Sequence, residues 1–128
     1  MASDILSDIT ATALSKTLDA AASRQKAIAN NIANVETPGY KRHSVSFEDE
    51  LRRVLDYKTG DAIRQGLQKL APVDNIDTLS PSRLDGNNVN IDVEISDLAR
   101  TSLKFKAVAT LLENKSAMLR AAITEGKK

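Results

Sequence analysis

Few residues in this chain could do chemistry, and their spacing matches no catalytic pattern. His43 is the only histidine, and it stands in a basic loop beside Lys41 and Arg42. A single loop histidine without a partner is more often an exposed polar residue than a general base or a metal ligand. The acidic run 48–50, Glu-Asp-Glu, is most simply the solvated face of a short helix. These residues therefore indicate solvated surface and no active site.

One segment has the composition of a cation-binding loop. Residues 85–92 read Asp-Gly-Asn-Asn-Val-Asn-Ile-Asp. However, Val89 takes a ligand position of the EF-hand loop, and no glycine or terminal glutamate follows at the required offset. A turn at the first two residues and a helix cap at Asn90 or Asp92 explain the segment better. Because the sequence also contains no phosphate-binding loop, nucleophile elbow or spaced histidine cluster, we predict no enzyme, with no catalytic residue, cofactor or metal site.

The composition indicates closely packed helices. Of the 128 residues, 41% are hydrophobic but only 3% are aromatic, and none is tryptophan. Alanine supplies much of the apolar content, so the core must consist of small and aliphatic side chains. The 18 basic and 17 acidic residues give a net charge of +1, which argues against nucleic acid or an anionic membrane as the main partner.

Composition and termini alone predict a cytosolic protein. The sequence contains no cysteine and hence no disulfide framework. Residues 1–8 contain two acids and no basic residue, which is not the pattern of a secretory signal peptide. No uninterrupted apolar run approaches the ~20 residues that would span a bilayer.

Residues 4–36 are predicted to form one long helix. Its inward positions are spaced alternately by four and three residues, a repeat that is typical of coiled coils. Ile5 and Ile9 lie on a slightly displaced stripe, so the first turns are expected to pack against something else. A helix of this length would be roughly 50 Å long. The repeat consists of Leu14, Leu18, Ala21, Gln25, Ile28, Ile32 and Val35, with Gln25 as its polar member.

A Thr-Pro-Gly-Tyr turn is predicted to end this helix. Thr37 precedes a proline and is therefore pushed out of the helical region. Pro38 and Gly39 suit the two central positions of a type II turn, because the second position needs positive φ. The asparagines of the last helical turns are either surface residues at a fraying helix end or amides that bond a neighbouring backbone, in this chain or in the next subunit. These asparagines are Asn30, Asn31 and Asn34.

The middle of the chain, 37–89, has weaker patterns. Ser46 is predicted to cap a short helix over 47–55, whose apolar residues share one face. Glycines and prolines then interrupt polar sequence, so we interpret 58–88 as loop, with one short helix or strand possible near 62–71.

A second long helix is predicted over 90–124. Its apolar stripe keeps the alternating spacing without a break, and further apolar residues widen it toward the C-terminus. Because a two-helix hairpin covers one stripe per helix, the wider part needs either another partner or cover from the middle segment. The stripe consists of Ile91, Ile95, Leu98, Ser102, Phe105, Ala109, Leu112, Ser116, Leu119 and Ile123, widened by Val108, Leu111, Met118 and Ala122.

These elements predict an all-α fold in which two long helices pack as an antiparallel, coiled-coil-like pair, with a loop-rich middle that contains a short helix. The chain, 1–128, would be a single assembly subunit. An alanine-rich pair has too little core to be firmly stable alone, so it gains stability by packing against copies or relatives. Subunits related head to tail by a rotation and a rise form open helical tubes. The predicted assembly seam consists of Leu14, Leu18, Ile28, Ile32, Val35, Ile95, Leu98, Phe105, Leu112, Leu119 and Ile123.

The 29–42 run resembles the N-terminal signature of the bacterial flagellar basal-body rod family and of the related hook and hook-associated proteins. A second run, 85–94, and the leucine-rich helix after it resemble the proximal rod members of that family. The Asn-Pro-Asn-Val element typical of FlgC is absent, and the short middle lacks the large β-rich insertions of distal rod and hook proteins. The first resemblance rests on Asn30, Asn31, Asn34, Thr37, Pro38, Gly39 and Tyr40, followed by Lys41 and Arg42.

This resemblance implies a structural subunit of the proximal rod, which transmits motor torque and continues the export channel. It also replaces the cytosolic prediction, since family members lack a cleavable signal, leave through the flagellar type III apparatus and assemble in the periplasm. The implied partners are other rod proteins (FlgC-like and distal), the ring-junction protein FliE, the inner-membrane ring, the export gate and copies of the chain. Two alternatives stay open: another rod position such as that of FlgC, and a soluble coiled-coil adaptor or export chaperone.

Overall fold

Two long helices dominate the structure, a computed structural model that describes residues 2–126. They are α1, Ala2–Ala33, and α4, Ile91–Glu125. The predicted fold class is confirmed, because the chain is mostly α-helical and its two long helices pack together. Between them lie β1 (His43–Ser46), α2 (Glu48–Leu55), α3 (Gly60–Lys69) and β2 (Val73–Ile76).

The helices α1 and α4 run antiparallel. Asn31, near the end of α1, bonds Glu94 in the first turn of α4. Further back along α1, Gln25 Nε2 lies 3.4 Å from Ser102 Oγ of α4. Later positions of α1 therefore contact earlier positions of α4, as in an antiparallel pair. The Gln25–Ser102 contact also joins the polar residue of the first predicted stripe to a polar residue of the second.

The end of α1 comes at Ala33, before the predicted end at residue 36. The Asn34 side chain donates to the Asn30 carbonyl at 2.8 Å, which offers the backbone an alternative to further helix. The predicted turn then follows. Gly39 has a φ of +74°, and the next N–H donates to the Thr37 carbonyl at 3.3 Å. A glycine stands there because this turn needs positive φ at its third residue.

The start of α4 is capped by Asn90, one of the two predicted caps. Its Oδ1 accepts the N–H groups of Asp92 and Val93 at 3.0 and 3.4 Å. The buried face of the first turns differs from the predicted stripe, since Glu94 is buried whereas Ile95 is exposed. The inward face is polar there because Glu94 meets Asn31 of α1 and Arg42, the residue before β1.

Of the short helix or strand that was possible near 62–71, the structure contains the helix, α3. Its N-cap Thr59 has a hydroxyl that accepts the Ala62 N–H at 3.2 Å, as is usual at a helix start. The helix begins at Gly60 and ends at Lys69, so this part of the predicted loop is ordered and helical.

The two strands contradict the prediction of loop at 43–46 and 73–76. They pair antiparallel, with His43 opposite Ile76 and Ser46 opposite Val73. Each strand has only four residues, which is too short for a period of two to be recognised in the sequence.

Ser46 does not cap α2, contrary to the prediction. The helix starts at Glu48, and its N-cap Phe47 makes no side-chain cap bond. The Ser46 hydroxyl instead accepts a hydrogen bond from Asn75 Nδ2 at 2.6 Å, because the sheet brings β2 within reach.

The main core lies between α1 and the middle of the chain. Ile9 is buried in it, so the displaced stripe of the first helical turns has its own partner. The helices α2 and α3 approach closely, since a Cβ on Gly66 would lie 2.7 Å from Val54 Cγ1. The core consists of Ile9, Ala20, Phe47, Val54, Leu67 and Leu70, with Ala13, Leu51 and Ile63 packed against it.

The middle segment does not cover the widened apolar face of α4. Leu111, Met118 and Ile123 are 55%, 72% and 60% exposed, because the middle packs mainly against α1. No helix within residues 2–126 has the length and hydropathy needed to cross a membrane.

Candidate functional site

The two segments singled out in the sequence, 29–42 and 85–94, meet at one end of the helix pair. The Gly39 N–H donates to the Asp85 carbonyl at 2.8 Å. The contact continues through buried amides, so we call this site the asparagine junction. Its members are Asn31, Asn87 and Asn88 together with Tyr40, Arg42 and Glu94.

Asn31 is the centre of the junction and is fully buried. Its Nδ2 donates to the His43 carbonyl at 2.8 Å and to Glu94 Oε2 at 3.0 Å. Its Oδ1 accepts the His43 N–H at 2.9 Å and the Tyr40 hydroxyl at 3.1 Å. A side-chain amide has two donor hydrogens and two acceptor lone pairs, so the hydrogen-bonding capacity of Asn31 is fully used.

The bonds to His43 make the Asn31 amide a substitute for a neighbouring strand residue. It pairs with both the N–H and the carbonyl of that residue, on the edge of β1 that does not face β2. Further along the same edge, Arg24 Nη2 donates to the Val45 carbonyl at 3.0 Å. Side chains of α1 therefore satisfy and cover an edge that would otherwise be open to pairing with another chain.

Glu94 places a carboxylate in the interior of the junction, where no part of its side chain is exposed. It is bonded by Arg42 Nε and by Asn31, and Arg42 Nη2 also lies 3.1 Å from Asp97 Oδ2. A buried charge is tolerated only with such partners, and removing one partner is strongly destabilising. This ion pair therefore fixes β1 to the first turns of α4.

Tyr40 contributes a hydroxyl that must stay protonated in order to donate. Burial raises the pKa of Tyr40, and the negative charges of Asp74 and Glu94 raise it further. The phenol therefore remains a donor to Asn31 at neutral pH. Its ring lies beside the His43 ring, with the two centroids 5.8 Å apart.

Asn87 joins the second segment to the end of α1 and is also fully buried. Its Nδ2 donates to the carbonyls of Asn34 and Thr37, each at 2.9 Å. Both carbonyls also accept a backbone N–H within the turn, so the Asn87 amide adds a second hydrogen bond to each and ties the second segment to the turn. Its Oδ1 accepts the Val89 N–H at 2.8 Å, which shapes the approach to α4.

Asn88 connects the junction to the sheet. Its Oδ1 accepts the Arg42 N–H at 2.6 Å, and its Nδ2 donates to the Asp77 carbonyl at 2.7 Å. The Asp77 N–H in turn donates to the Arg42 carbonyl at 2.8 Å. One amide thus bridges the residues that precede β1 and follow β2.

A second polar cluster ties α1, α2 and α4 together. Arg24 bonds both carboxylate oxygens of Glu48 at 2.8 Å, and Lys104 Nζ lies 2.8 Å from Glu48 Oε1. The Arg24 hydrogen bonds, helped by the one from Lys104, lower the pKa of Glu48 to about 2. The cluster borders a cleft of about 340 Å³ that Arg42, Asp97 and Arg100 also line.

Within residues 2–126, no group of histidine and acidic side chains is arranged to hold a metal ion. The one histidine, His43, lies 3.0 Å from Asp74 Oδ2 at the edge of the sheet, and no nucleophile stands beside this pair in the described hydrogen bonds. Both polar clusters join secondary-structure elements, and each of their charged members is paired.

The residues of the predicted family motif divide between the junction and the surface. Asn31 and Tyr40 are in the junction, while Asn34, Thr37 and Gly39 form the turn that it binds. The remaining motif residues, Asn30 and Pro38, are exposed. Of the two interpretations of the asparagines, Asn31 thus corresponds to an amide that bonds the backbone of this chain.

The predicted seam residues differ in exposure, and their role in assembly stays a prediction. Ile28 is buried in the monomer. Residues that are half-buried are Leu14, Leu18, Ile32, Val35, Leu98, Phe105 and Leu112. Those that face solvent are Ile95, Leu119 and Ile123.

Sequence reasoning did not identify Glu94, Asn87 or Asn88 as members of one site. Glu94 precedes a stripe residue, and a glutamate beside an apolar stripe is ordinarily solvated. One signal in the sequence could have indicated that Glu94 is buried: it lies seven residues before Thr101, which is also buried. The partners of the two amides come from a distant segment, which local patterns do not contain.

Comparison with known proteins finds similarity to flagellar basal body rod proteins. A family sequence model described as "Flagella basal body rod protein" matches residues 12–41, which span most of α1 and the turn. Flagellar basal body rod protein FlgB of Bacillus subtilis (strain 168) is 32% identical over 126 residues, 89% of this chain and 92% of the relative. The protein of the same name from Borrelia hermsii is 38% identical over 67% of this chain and 74% of the relative. That of Salmonella typhimurium is 32% identical over 74% of this chain and 78% of the relative.

Proposed function

Because the chain belongs to the flagellar basal body rod protein family, we propose that it is a subunit of the proximal rod, assembling with other rod proteins into the drive shaft of the flagellum. It is a structural component of the basal body. The three relatives above all carry the name FlgB, which favours this rod position over the FlgC-like one.

The asparagine junction is the observation that carries the proposal. It is built from the two segments that resemble rod proteins, and its buried groups hold the ends of α1 and α4 together. In a soluble adaptor or export chaperone the Thr-Pro-Gly-Tyr element would be incidental. Here Asn87 bonds the Thr37 carbonyl, and Asp85 bonds the Gly39 N–H. These contacts support a role for the motif in the subunit itself.

The proposed mechanism is mechanical. A subunit that transmits torque must not shear internally, so its helices need connections that resist sliding. The buried Arg42–Glu94 pair and the Arg24–Glu48–Lys104 cluster connect α4 to the rest of the chain at two levels along its axis. Exposed apolar residues of α4 are then available to neighbouring subunits.

The finer setting is also part of the proposal. The subunit is exported by the flagellar type III apparatus without a cleavable signal and joins the rod in the periplasm. Its neighbours there are FlgC-like and distal rod proteins, the ring-junction protein FliE, the inner-membrane ring, the export gate and copies of itself. Family membership supports association with other rod components.

Deletion combined with purification of basal bodies tests the proposed function. Cells that lack the chain are expected to stop assembly above the inner-membrane ring, and the restored chain is expected to copurify with basal bodies. Complete rods in the deletion strain, or a chain that is retained in the cytosol as a discrete oligomer, would contradict the proposal. The second result would favour the adaptor or chaperone alternative.

A further inference from the structure

The hydroxyl of Thr101 has no partner among the described hydrogen bonds, which is unusual for a buried threonine of the long helices. Four others donate to the carbonyl four residues earlier, at 2.8 or 2.9 Å; they are Thr10, Thr17, Thr110 and Thr124. Thr12 makes no described bond either, but it is half-buried and within reach of water. Thr101 is only 4% exposed. Because a buried hydroxyl without a partner costs free energy, its position calls for an explanation.

Thr101 lies in the wall of the cleft of about 340 Å³ between α1, β1 and α4. Within residues 2–126, the one fully enclosed side-chain polar atom without a hydrogen bond is Arg64 Nε, which belongs to α3. The Thr101 hydroxyl is therefore not sealed in the protein and is reached from the cleft. Every other polar residue of the lining is at least half-buried or exposed, so Thr101 is the most deeply placed polar group there.

The lining of this cleft carries more positive than negative charge. Four cations line it together with two carboxylates: Arg24, Arg42, Arg100 and Lys104 against Glu48 and Asp97. The buried Glu94 carboxylate, which is bonded to Arg42, offsets one further charge and leaves one cation in excess. The cleft therefore favours an anionic group.

Hydrogen-bond donors are in excess as well. Arg42 directs Nε to Glu94 and Nη2 to Asp97, so its Nη1 has no partner among the described bonds. Lys104 Nζ has three donor hydrogens and makes one described bond, to Glu48. Each carboxylate oxygen of Glu48 and Asp97 already accepts a bond from a cation. A group that enters the cleft is thus met by spare donors, which suit an oxygen of a carboxylate or a phosphate.

We propose that this cleft binds one carboxylate group, that of a glutamate side chain of a protein partner, through the Thr101 hydroxyl and the surrounding cations. The single excess positive charge matches a carboxylate better than a phosphate, which carries nearly two negative charges at neutral pH. Ala27, Ile28 and Val45 of the lining suit the methylene groups of a glutamate. The volume is at the small end of the ~300–1,000 Å³ of ligand sites, so the cleft holds one side chain and no extended polyanion.

An NMR titration of the isotope-labelled full chain tests the site. The probes are a Gly-Glu-Gly tripeptide with blocked termini, the matching Gly-Gln-Gly tripeptide and inorganic phosphate, all at the same ionic strength. We expect saturable shifts of the Thr101 and Arg100 resonances with the glutamate peptide alone. Thr101→Val should weaken this binding by roughly tenfold or more, because it removes a hydrogen bond to a charged group.

Thr17→Val is the matched control. The Thr17 hydroxyl lies outside the cleft and bonds the Ala13 carbonyl at 2.8 Å, so this variant should bind the glutamate peptide as the wild type does. Urea unfolding adds a second readout. Because the Thr101 hydroxyl has no described partner within the chain, Thr101→Val should leave the urea midpoint unchanged or raise it. A clear fall of that midpoint would show that the hydroxyl serves the fold, and would overturn its assignment to a ligand.

Arg100→Gln tests the contribution of charge. The Arg100 side chain is 80% exposed, so the variant should fold as the wild type does and bind the glutamate peptide severalfold more weakly. Unchanged binding in both Arg100→Gln and Thr101→Val would place the peptide outside this cleft and contradict the inference.

Three results with the wild-type chain would also overturn the inference. Equal binding of the glutamate and glutamine peptides would show that the cleft does not recognise charge. Saturation by phosphate without a response to the glutamate peptide would assign the cleft to free phosphate. No saturable shift with any probe would show that the cleft is not a binding site. Since the titration uses the free chain, none of these results bears on the proposed rod function.

Discussion

Asn31 uses its full hydrogen-bonding capacity on three parts of the chain: the edge of β1, the Tyr40 hydroxyl and the buried Glu94 carboxylate. An aspartate would lose both donors, and an aliphatic residue would satisfy none of these groups. At this scale the family motif is a set of buried polar groups that satisfy one another. The residue types of the buried motif positions follow from the number of hydrogen-bond donors and acceptors that each side chain must provide.

Asn31→Ala should destabilise the protein by about 3 kcal/mol, because it leaves the His43 backbone without its partner and removes one of the two partners of the buried Glu94 carboxylate. Asn30→Ala is the matched control, since that side chain is exposed one position earlier and should change stability by less than about 0.5 kcal/mol. Urea unfolding followed by circular dichroism measures both. Similar shifts in the two variants would show that the junction does not stabilise the fold.

Gly39→Val should cost about 2 kcal/mol, because a β-branched residue strongly disfavours the φ of +74° at this position. No atom lies within 4 Å of a Cβ built there, so the cost is conformational and not a clash. Gly39→Asn should therefore be about half as costly, since asparagine tolerates positive φ better. Equal destabilisation of the two variants in thermal unfolding would contradict this explanation.

At the scale of elements, the two polar clusters connect helices that their apolar stripes only partly join. The Glu48 cluster bridges α1, α2 and α4, and the asparagine junction bridges α1, β1 and α4. Between them the contact of α1 with α4 includes a polar pair, Gln25 and Ser102. Polar contacts of this kind set the register of a helix pair more than they add stability.

The Glu48 cluster predicts a specific dependence of stability on pH. The folded pKa of Glu48, about 2, lies below its ordinary value of 4.5. This carboxylate therefore contributes stability above about pH 4.5, and that contribution is lost as the pH falls toward 2. Because the Glu48 side chain is 41% exposed, solvent screening limits the effect to about 1 kcal/mol.

Glu48→Gln should flatten this part of the pH profile, measured as the free energy of unfolding in urea between pH 5 and pH 2.5, roughly the window that the pKa shift defines. Glu50→Gln removes a carboxylate from the same helix and leaves the cluster intact, so its profile should follow the wild type. If both variants lose stability on acidification as the wild type does, the Glu48 cluster is not the source of the pH dependence.

The long helices could be predicted from the sequence because a seven-residue repeat over thirty or so positions is a strong pattern, and the turn could be predicted because Pro38 and Gly39 fit one turn type. The strands could not, since the outer edge of β1 is completed by Asn31 and Arg24 from another element. Glu94 could not either, because the partner that permits its burial, Arg42, lies 52 residues away in the chain.

At the scale of the whole molecule, the structure leaves an extended apolar surface on α4. Its middle segment packs on α1, and the C-terminal half of α4 keeps Leu111, Met118, Leu119 and Ile123 in solvent. A monomer that exposes such a row is suited to burial against neighbours. Helix packing between subunits would then supply the stability that the small core does not.

Met118→Asp should prevent assembly while leaving the monomer folded, because the side chain is 72% exposed in the monomer but would place an unpaired charge in the proposed interface. Asn114→Asp adds the same charge at an exposed position off the stripe and should assemble normally. Secretion and swimming are measured on the same strains. Both variants should be secreted, and only the first should fail to swim.

A cryo-EM map of the intact basal body, with this chain built into it, tests whether the chain is a rod subunit. We expect the chain to lie in the proximal rod with the asparagine junction formed as described. We also expect Leu111, Met118 and Ile123 to be buried against neighbouring helices. A rod that lacks the chain, or one in which these three side chains still face solvent, would contradict it.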